Sequence, residues 1–355
     1  MYYLDFIESN IARPQPWYHS EMGVPVTLSS GTHQRAAFWL LRLSGRKEMD
    51  TMNQHLLNRR QFSARCAALG FALPAASAML AIQASAQVPG TGEAPKPVVR
   101  TVKFPDGTTV PAIGQGSWRL GQGRHALSVE KEALRTGIAL GMTVIDTAES
   151  YGEGRSEQFI GSTIADQRDR VFLVTKVSPE NTAGEAIARA CRASLGRLRT
   201  DRIDLYLLHA PVPSSRLAGV VAKFEELRAA GKIRSWGVSN FSVAQMEELF
   251  RVPDGHRCAT NQVLYNLKRA EMEQDLLPWC EQHNMPVMAY SPLGGSSGPL
   301  VRDPTLAGVG AKFGYSAATV ALDWVIRSGN VIAIPESGSP AHVKENALAL
   351  SVLRS

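Results

Sequence analysis

The chain has few cysteines, and none of them is spaced for metal binding or for redox chemistry. The four cysteines, Cys66, Cys191, Cys258 and Cys280, form no C-x-x-C pair, which excludes zinc ribbons and thioredoxin-like sites. Cys66 falls in a segment that we expect to be removed. Because an odd number remains, no disulfide framework is expected, and the sequence predicts no metal site.

The sequence also lacks the short motifs that commonly hold nucleotides. No G-x-G-x-x-G follows a predicted strand, and no G-x-x-x-x-G-K-[ST] is present. None of the eight tyrosines is followed by a lysine four positions later, so the tyrosine–lysine pairing of short-chain dehydrogenases is absent too. If the protein uses a nicotinamide cofactor, it does not bind it in a Rossmann fold.

Long runs of one charge are missing as well. The formal net charge is +6, but the lysines and arginines are spread along the chain, so we expect no nucleic-acid partner. With 44% hydrophobic and 20% charged residues over 355 positions, the composition is that of a globular protein with a large core.

The N-terminal part of the chain contains a stretch typical of a bacterial export signal. Residues 1–51 show no sustained periodicity, and we expect them to be disordered or to precede the true start of translation at Met52. Residues 52–86 carry the twin-arginine signature RRQF (59–62), an alanine-rich apolar region and the cleavage motif ASA (84–86). This pattern predicts a signal peptide that is read by the twin-arginine export machinery.

A membrane-anchoring helix is the alternative interpretation of residues 52–86, but Arg65 and Pro74 interrupt the apolar stretch. Residues 87–101 are rich in proline and glycine and predict a linker. We therefore expect a periplasmic protein, or a cytoplasmic one if the signal is not used.

From Val102 onward the organisation is regular and predicts one repeating fold. The segment VKFPDGTTVPAIG (102–114) predicts an N-terminal β-hairpin. Eight apolar strand candidates then alternate with amphipathic helical patterns. They lie near Ile113, Val144, Phe172, Ile203, Trp236, Asn261, Val287 and Val331. Continuous apolar runs indicate parallel strands buried on both faces, and eight βα units predict an α/β fold, a (β/α)8 TIM barrel over residues 102–355.

Four side chains suited to proton transfer follow three consecutive predicted strands. Asp146 ends the second barrel strand, Tyr151 lies on the loop beyond it, Lys176 ends the third strand and His209 follows the fourth. Taken singly, each has a simpler explanation as a turn, solvated or structural residue. Because the carboxyl ends of barrel strands meet at one rim, the four together predict an oxidoreductase site.

The reduction of a carbonyl explains why these four residue types occur together. Hydride addition leaves an alkoxide that needs a proton, and a free phenol with a pKa of about 10 is a weak acid at neutral pH. A neighbouring ammonium lowers that pKa. We assign Tyr151 as the proton donor, Lys176 as its activator, Asp146 as the residue that orients Lys176, and His209 as the donor that positions the carbonyl oxygen.

With these residues the chain resembles the aldo-keto reductases over about 102–352, most of all the small bacterial members similar to methylglyoxal reductase. Four further segments look like family motifs: GKIRSWGVSNF (231–241), NQVLYNL (261–267), PVMAYSPLG (286–294) and IPESGSPAHVKEN (334–346). The resemblance implies a barrel that binds extended NADP(H), with NAD(H) as the alternative, and reduces small aldehydes and ketones to alcohols.

The same resemblance implies roles for individual residues around the cofactor. Ser239, Asn240 and Gln262 would hold the carboxamide, Tyr290 would stack on the nicotinamide, and Ser291 and Leu293 would contact the pyrophosphate. Further predicted cofactor contacts are Gly116, Ser117, Ser337, Glu345 and Asn346. Trp118 would line the substrate pocket together with His209.

Three departures from the family pattern lead to further expectations. Glu336 stands where a lysine often meets the 2′-phosphate, and His342 where an arginine is frequent, which predicts a weakened preference for NADPH and use of NADH. Ala210 replaces a frequent tryptophan after His209 and predicts a wider substrate pocket. Relatives usually continue beyond the position of Ser355, so we expect a C-terminally truncated barrel.

Two other functions stay open from the sequence. The barrel could be a non-catalytic, cofactor-binding or regulatory subunit, or the product could be a non-functional fragment. The intact set of four catalytic residues favours an enzyme that acts on a small-molecule carbonyl, and we expect it to be a monomer.

Overall fold

A computed structural model of the protein describes residues 99–295 and 298–352. The predicted signal peptide, residues 1–51, Cys66 and almost all of the predicted linker lie outside these residues. The first strand begins at Thr101, the last residue of the predicted linker.

A two-stranded antiparallel hairpin precedes the main sheet, as the sequence predicted. It consists of β1 (Thr101–Lys103) and β2 (Thr109–Pro111), with Val102 opposite Val110. The turn between them needs Gly107, whose φ of 87° lies in the left-handed region. The ring of Phe104 stacks on that of Phe172 at 5.3 Å. The hairpin therefore packs against the amino end of a barrel strand.

Eight parallel strands form the main sheet, and neighbours in sequence are neighbours in the sheet. They are β3 (Gln115–Gly116), β4 (Val144–Asp146), β5 (Phe172–Val177), β6 (Ile203–Leu208), β7 (Ile233–Ser239), β8 (Asn261–Leu264), β9 (Val287–Tyr290) and β10 (Val331–Ala333). Parallel bridges pair Ile113 with Ala333 and Gly116 with Glu336, so the first and last strands meet. The predicted (β/α)8 barrel with its N-terminal hairpin is confirmed.

Helices follow the strands and cover the outside of the sheet. They are α1 (Leu127–Ala139), α2 (Arg155–Ile164), α3 (Ala186–Leu198), α4 (Ser214–Ala229), α5 (Val243–Arg251), α6 (Leu276–Gln282), α7 (Pro304–Ala311), α8 (Ala317–Val325) and α9 (Pro340–Leu348). Helix α5 shows how local sequence sets a start. Ser242 accepts a hydrogen bond from the Gln245 backbone, and the Gln245 side chain bonds back to the Ser242 backbone, which satisfies two free N–H groups. Within the described residues no helix combines the length and the apolar character needed to cross a membrane.

The core consists of apolar side chains on both faces of the strands. Every residue of β5 and of β6 is buried, which is why these strands read as continuous apolar runs. Outside the barrel wall, Phe224 of α4 contacts Tyr206 of β6 and Trp236 of β7, with ring centroids 5.6 Å apart in both pairs. Such aromatic pairs contribute about 0.5–1.5 kcal/mol each beyond the buried area, so they fix α4 against the sheet.

The cysteines of the described region are structural. Cys191, Cys258 and Cys280 are free and buried, and burial raises the pKa of each thiol to about 12. A buried thiol of this kind is unreactive. No group of three or more His, Cys, Asp or Glu side chains within residues 99–295 and 298–352 is arranged to hold a metal ion.

Candidate active site

The four predicted catalytic residues lie at the carboxyl ends of neighbouring strands, where the sequence placed them. Asp146 is the last residue of β4, Lys176 the last but one of β5, and His209 follows β6 directly. Tyr151 lies on the loop after β4, at the start of the turn Tyr151–Gly154, in which Gly152 and Glu153 have left-handed φ values of 57° and 59°. The parallel register of these strands brings all four side chains to one rim of the barrel.

The Lys176 ammonium is the centre of the group. It is fully buried and donates hydrogen bonds to Asp146 Oδ2 at 2.7 Å, to the Thr147 carbonyl at 2.8 Å and to the Tyr151 hydroxyl at 3.2 Å. Burial lowers the pKa of Lys176, but the charge and hydrogen bond of Asp146, together with Tyr151, outweigh it, and the net pKa is raised. The lysine therefore stays charged inside the protein.

The pKa of Tyr151 differs from the sequence-based expectation. Burial raises it, and this exceeds the lowering by the Lys176 charge and hydrogen bond, so the net shift is upward. Lys176 acts in the predicted direction, but the predicted net lowering is wrong because the sequence does not reveal how deeply the phenol is buried. The Tyr151 hydroxyl therefore keeps its proton at neutral pH.

His209 stands beside Tyr151 and is uncharged at neutral pH. The two rings meet edge to face with centroids 5.7 Å apart. Burial, with a smaller contribution from the Lys176 charge, lowers the pKa of His209 to about 4. A neutral imidazole offers one N–H donor and one acceptor. Its Nδ1 lies 3.5 Å from the Ser150 hydroxyl, a contact that the sequence did not predict.

Gln262 has a second contact that the sequence reasoning missed. It was predicted only as a cofactor ligand, but its Nε2 donates to Asp146 Oδ1 at 2.8 Å and lies 3.9 Å from Met288 Sδ. Asp146 is thus held by Lys176 on one oxygen and by Gln262 on the other. The amide nitrogen of Gln262 is committed to these contacts, which leaves its Oε1 as the acceptor for a ligand.

A chain of hydrogen bonds fixes the polar wall beside Gln262. The Tyr290 hydroxyl donates to Asn240 Oδ1 at 3.0 Å, and Asn240 Nδ2 donates to the Ser239 hydroxyl at 3.1 Å. The Ser239 hydroxyl in turn donates to the backbone carbonyl of Gln262 at 2.8 Å. Asn240 adopts a left-handed φ of 63°, which asparagine tolerates better than most residues. These predicted cofactor residues form one ordered wall.

One large cavity lies beside the tetrad. Its volume is about 820 Å³, within the usual range of roughly 300–1,000 Å³ for ligand pockets. Asp146, Tyr151 and His209 line it, and Lys176 lies behind them. The remaining predicted residues also line it: Gly116, Ser117, Trp118, Ser239, Asn240, Gln262, Tyr290, Ser291, Leu293, Ser337, Glu345 and Asn346.

The cavity is also lined by arginines that the sequence reasoning did not single out. Arg119 and Arg124 line it together with Glu336 and His342. Glu336 Oε2 accepts from the Arg119 backbone N–H at 3.1 Å, and Oε1 lies 3.4 Å from the Arg124 guanidinium. Burial raises the pKa of Glu336, although Arg119 and Arg124 oppose it. Arg119 could have been noticed in the sequence because it directly follows Trp118.

Ala210 follows His209 as the sequence shows, but it is not among the residues that line the cavity in the described part of the chain. The wider substrate pocket expected from this residue stays a prediction.

The fold and this site define an oxidoreductase of the (β/α)8-barrel class. Residues 112–354 match the Aldo/keto reductase family, and the chain belongs to that family. The predicted enzyme class is confirmed.

Individual relatives resemble the chain over most of their length. Methylglyoxal reductase YeaE of Escherichia coli (strain K12) is 46% identical over 256 residues, which cover 71% of this chain and 90% of that protein. A crystal structure of an aldo/keto reductase from Klebsiella pneumoniae in complex with NADP and acetate is 46% identical with a TM-score of 0.69. The match covers 73% of this chain and 92% of the Klebsiella pneumoniae chain. A second structure of an aldo-keto reductase from the same organism, in complex with NADPH, shows the same identity, TM-score and coverage.

Proposed function

We propose that the protein reduces small aldehydes and ketones, methylglyoxal among them, to alcohols with NADPH. The observation that carries the proposal is the arrangement of Tyr151, Lys176 and Asp146, in which a protonated phenol lies 3.2 Å from a buried ammonium that is itself 2.7 Å from a carboxylate. The similarity to a methylglyoxal reductase and to structures with NADP and NADPH supports the choice of substrate and cofactor.

The residues of the cavity fit a nicotinamide nucleotide. Ser239, Asn240 and the free Oε1 of Gln262 supply amide and hydroxyl groups for a carboxamide, and Tyr290 offers an aromatic face. Gly116 lines the cavity at the barrel seam, where a Cβ would lie only 2.9 Å from the Ile334 carbonyl. Arg119, which also lines the cavity, would attract phosphate groups.

A reduced nicotinamide held by these residues would supply the hydride for the carbonyl carbon. Tyr151 donates its hydroxyl proton to the carbonyl oxygen as negative charge develops on it. Lys176 stabilises the phenolate that this leaves, and Asp146 keeps Lys176 charged and directed at the phenol. His209, neutral at physiological pH, offers an N–H that aligns the carbonyl oxygen. General acid catalysis of this kind contributes roughly 10²–10⁴ in rate.

The test compares the wild-type chain with Tyr151→Phe, using methylglyoxal and following the absorbance of the reduced nucleotide. We expect kcat to fall by about 10²–10⁴, while nucleotide binding, followed by fluorescence, stays unchanged. Tyr315→Phe removes the same hydroxyl from a partly buried tyrosine outside the cavity and should retain full activity.

Two results would contradict different parts of the proposal. Nucleotide binding without turnover by the wild-type chain would favour the non-catalytic barrel instead. Turnover that survives Tyr151→Phe would contradict the assignment of the proton donor.

We also propose that the protein is exported through the twin-arginine route, on the sequence of residues 52–86 alone. Replacing Arg59 and Arg60 by lysine in the full chain should shift it from the periplasm to the cytoplasm. Mass spectrometry should find a mature N-terminus at Gln87. Equal periplasmic amounts of both forms would refute the proposal.

A further inference from the structure

The loop between β3 and α1, residues 117–126, forms part of the cavity wall. It contributes Trp118, which is 52% exposed, together with Arg119 and Arg124. The Arg119 guanidinium lies over the Trp118 ring at 4.6 Å. The position of this loop therefore sets both an aromatic and a cationic part of the cavity wall.

Two carboxylates hold this loop through its backbone. Glu130 is fully buried, and its Oε2 accepts from the Gly121 N–H at 2.8 Å. Glu336 Oε2 accepts from the Arg119 N–H at 3.1 Å, and Oε1 meets the Arg124 side chain. Glu130 belongs to the adjacent helix α1, whereas Glu336 follows β10 and is distant in sequence. Glu336 is thus the attachment of the loop to the other side of the seam where the barrel closes.

The attachment is more than an exposed ion pair. The Arg124 contact at 3.4 Å, with the arginine half exposed, contributes little by itself. The bond to the Arg119 N–H is different, because it joins a charged acceptor with a side chain only 21% exposed to the backbone. The two loops also touch nearby, since a Cβ on Gly338 would lie 2.6 Å from His125 Cδ2.

We propose that Glu336 is a positioning residue that holds Trp118 and Arg119 in place and so determines how tightly carbonyl substrates bind. This inference rests on the proposed function, and it adds a role for Glu336 besides its charge toward the cofactor. Glu336 is linked to the backbone directly beside the tryptophan, so its loss would loosen the substrate wall.

The test uses Glu336→Ala, Glu336→Gln and the control Glu247→Ala in the full chain. Glu247 is an exposed carboxylate on α5 with a loose contact to Arg251 at 3.7 Å. In Glu336→Ala, hydrogen exchange of residues 117–126 should speed up about tenfold, as expected for losing a hydrogen bond to a charged group. The KM for methylglyoxal should rise about tenfold with little change in kcat, as when uniform binding is lost. Glu336→Gln keeps a neutral acceptor for the Arg119 N–H and should fall between Glu336→Ala and the wild type in both measurements.

The possible outcomes separate the inference from the function on which it rests. Unchanged loop exchange in Glu336→Ala would overturn the positioning role, whatever the activity. If Gln and Ala were equally disruptive and changed only the KM of the nucleotide, charge alone would explain Glu336 and the inference would be wrong. If exchange rose in Glu336→Ala but the wild type reduced no carbonyl, the positioning role would stand and the proposed function would fail.

Discussion

Replacing Asp146 with asparagine would keep the shape of the side chain and remove the charge that faces Lys176. The two side chains are only 3% and 0% exposed and lie 2.7 Å apart. Removing one partner of a buried pair costs about 3–5 kcal/mol, because the other charge is left uncompensated. Lys176 can limit the loss by releasing its proton. Deprotonating a lysine at pH 7 costs at most about 4.6 kcal/mol, because each pH unit below its ordinary pKa of about 10.4 costs about 1.36 kcal/mol. Because the bonds to Thr147 and Tyr151 remain, we expect the free energy of unfolding to fall by about 3 kcal/mol.

The loss of stability in Asp146→Asn should depend on pH, and the shift in the pKa of Lys176 determines the direction of that dependence. In the wild type this pKa is raised. The stabilisation that charged Lys176 gives the folded protein is therefore fully present below the pKa of lysine in the unfolded chain, about 10.4. It is lost as the pH rises through the pKa of Lys176 in the folded protein. In Asp146→Asn, burial is no longer offset by the carboxylate, so the folded pKa should fall below the unfolded one. The penalty then disappears as the pH rises above about 10. The difference between the two proteins should be largest near pH 7 and shrink toward about pH 11.

Urea unfolding at several pH values, followed by tryptophan fluorescence, measures this difference. A loss of about 3 kcal/mol should also lower Tm by roughly 6–12 °C for a domain of this size. The control is Asp166→Asn, since Asp166 is an exposed carboxylate paired with Arg135 at 2.6 Å, and exposed pairs contribute little. A loss at Asp146 no larger than that of the control, or one that is equal at neutral and high pH, would refute the reasoning.

Three further predictions concern the rest of the cavity. The imidazole of His209 should titrate by NMR near pH 4. Its burial should lower the stability of the fold only as the pH falls below about 6.5, because the unfolded chain binds the proton first. An NMR titration midpoint near pH 6.5, about the ordinary value, would contradict this. Glu336→Lys should raise the ratio of kcat/KM for NADPH to that for NADH by about tenfold, since a cation replaces an anion in the cavity wall. An unchanged ratio would mean that Glu336 does not select the nucleotide. Ala210→Trp should raise the KM of a bulky aromatic aldehyde more than that of methylglyoxal, and equal effects on both substrates would show that this position does not limit substrate size.

The strand ends and their catalytic residues could be predicted because buried parallel strands leave a clear signal in the sequence. The runs that end at Asp146 and Lys176 are apolar without alternation, since both faces of each strand are buried. The shared rim then followed from the rule that barrel strands direct their carboxyl ends to one side.

The contacts within the site could not be predicted in the same way. The bond from Gln262 to Asp146 joins residues 116 positions apart, and that from Arg119 to Glu336 joins residues 217 apart. The formation of these hydrogen bonds depends on strand register and on side-chain rotamers, which no local sequence pattern determines. Glu336 was therefore read only as a charge at the cofactor end, and its attachment to the loop was missed.

The upward shift in the pKa of Tyr151 explains why the site combines burial with a neighbouring charge. A proton donor must keep its proton until the substrate oxygen becomes basic, and a phenol whose pKa burial holds above its usual value does so at neutral pH. The phenolate must then be stable for the moment at which it forms, and the ammonium 3.2 Å away provides the compensating charge. Burial without Lys176 would give a phenol that could not release its proton, and Lys176 without burial would act through water, where its effect is weak. Since Asp146 keeps the ammonium charged within the barrel wall, it contributes to the proton transfer without exchanging a proton itself.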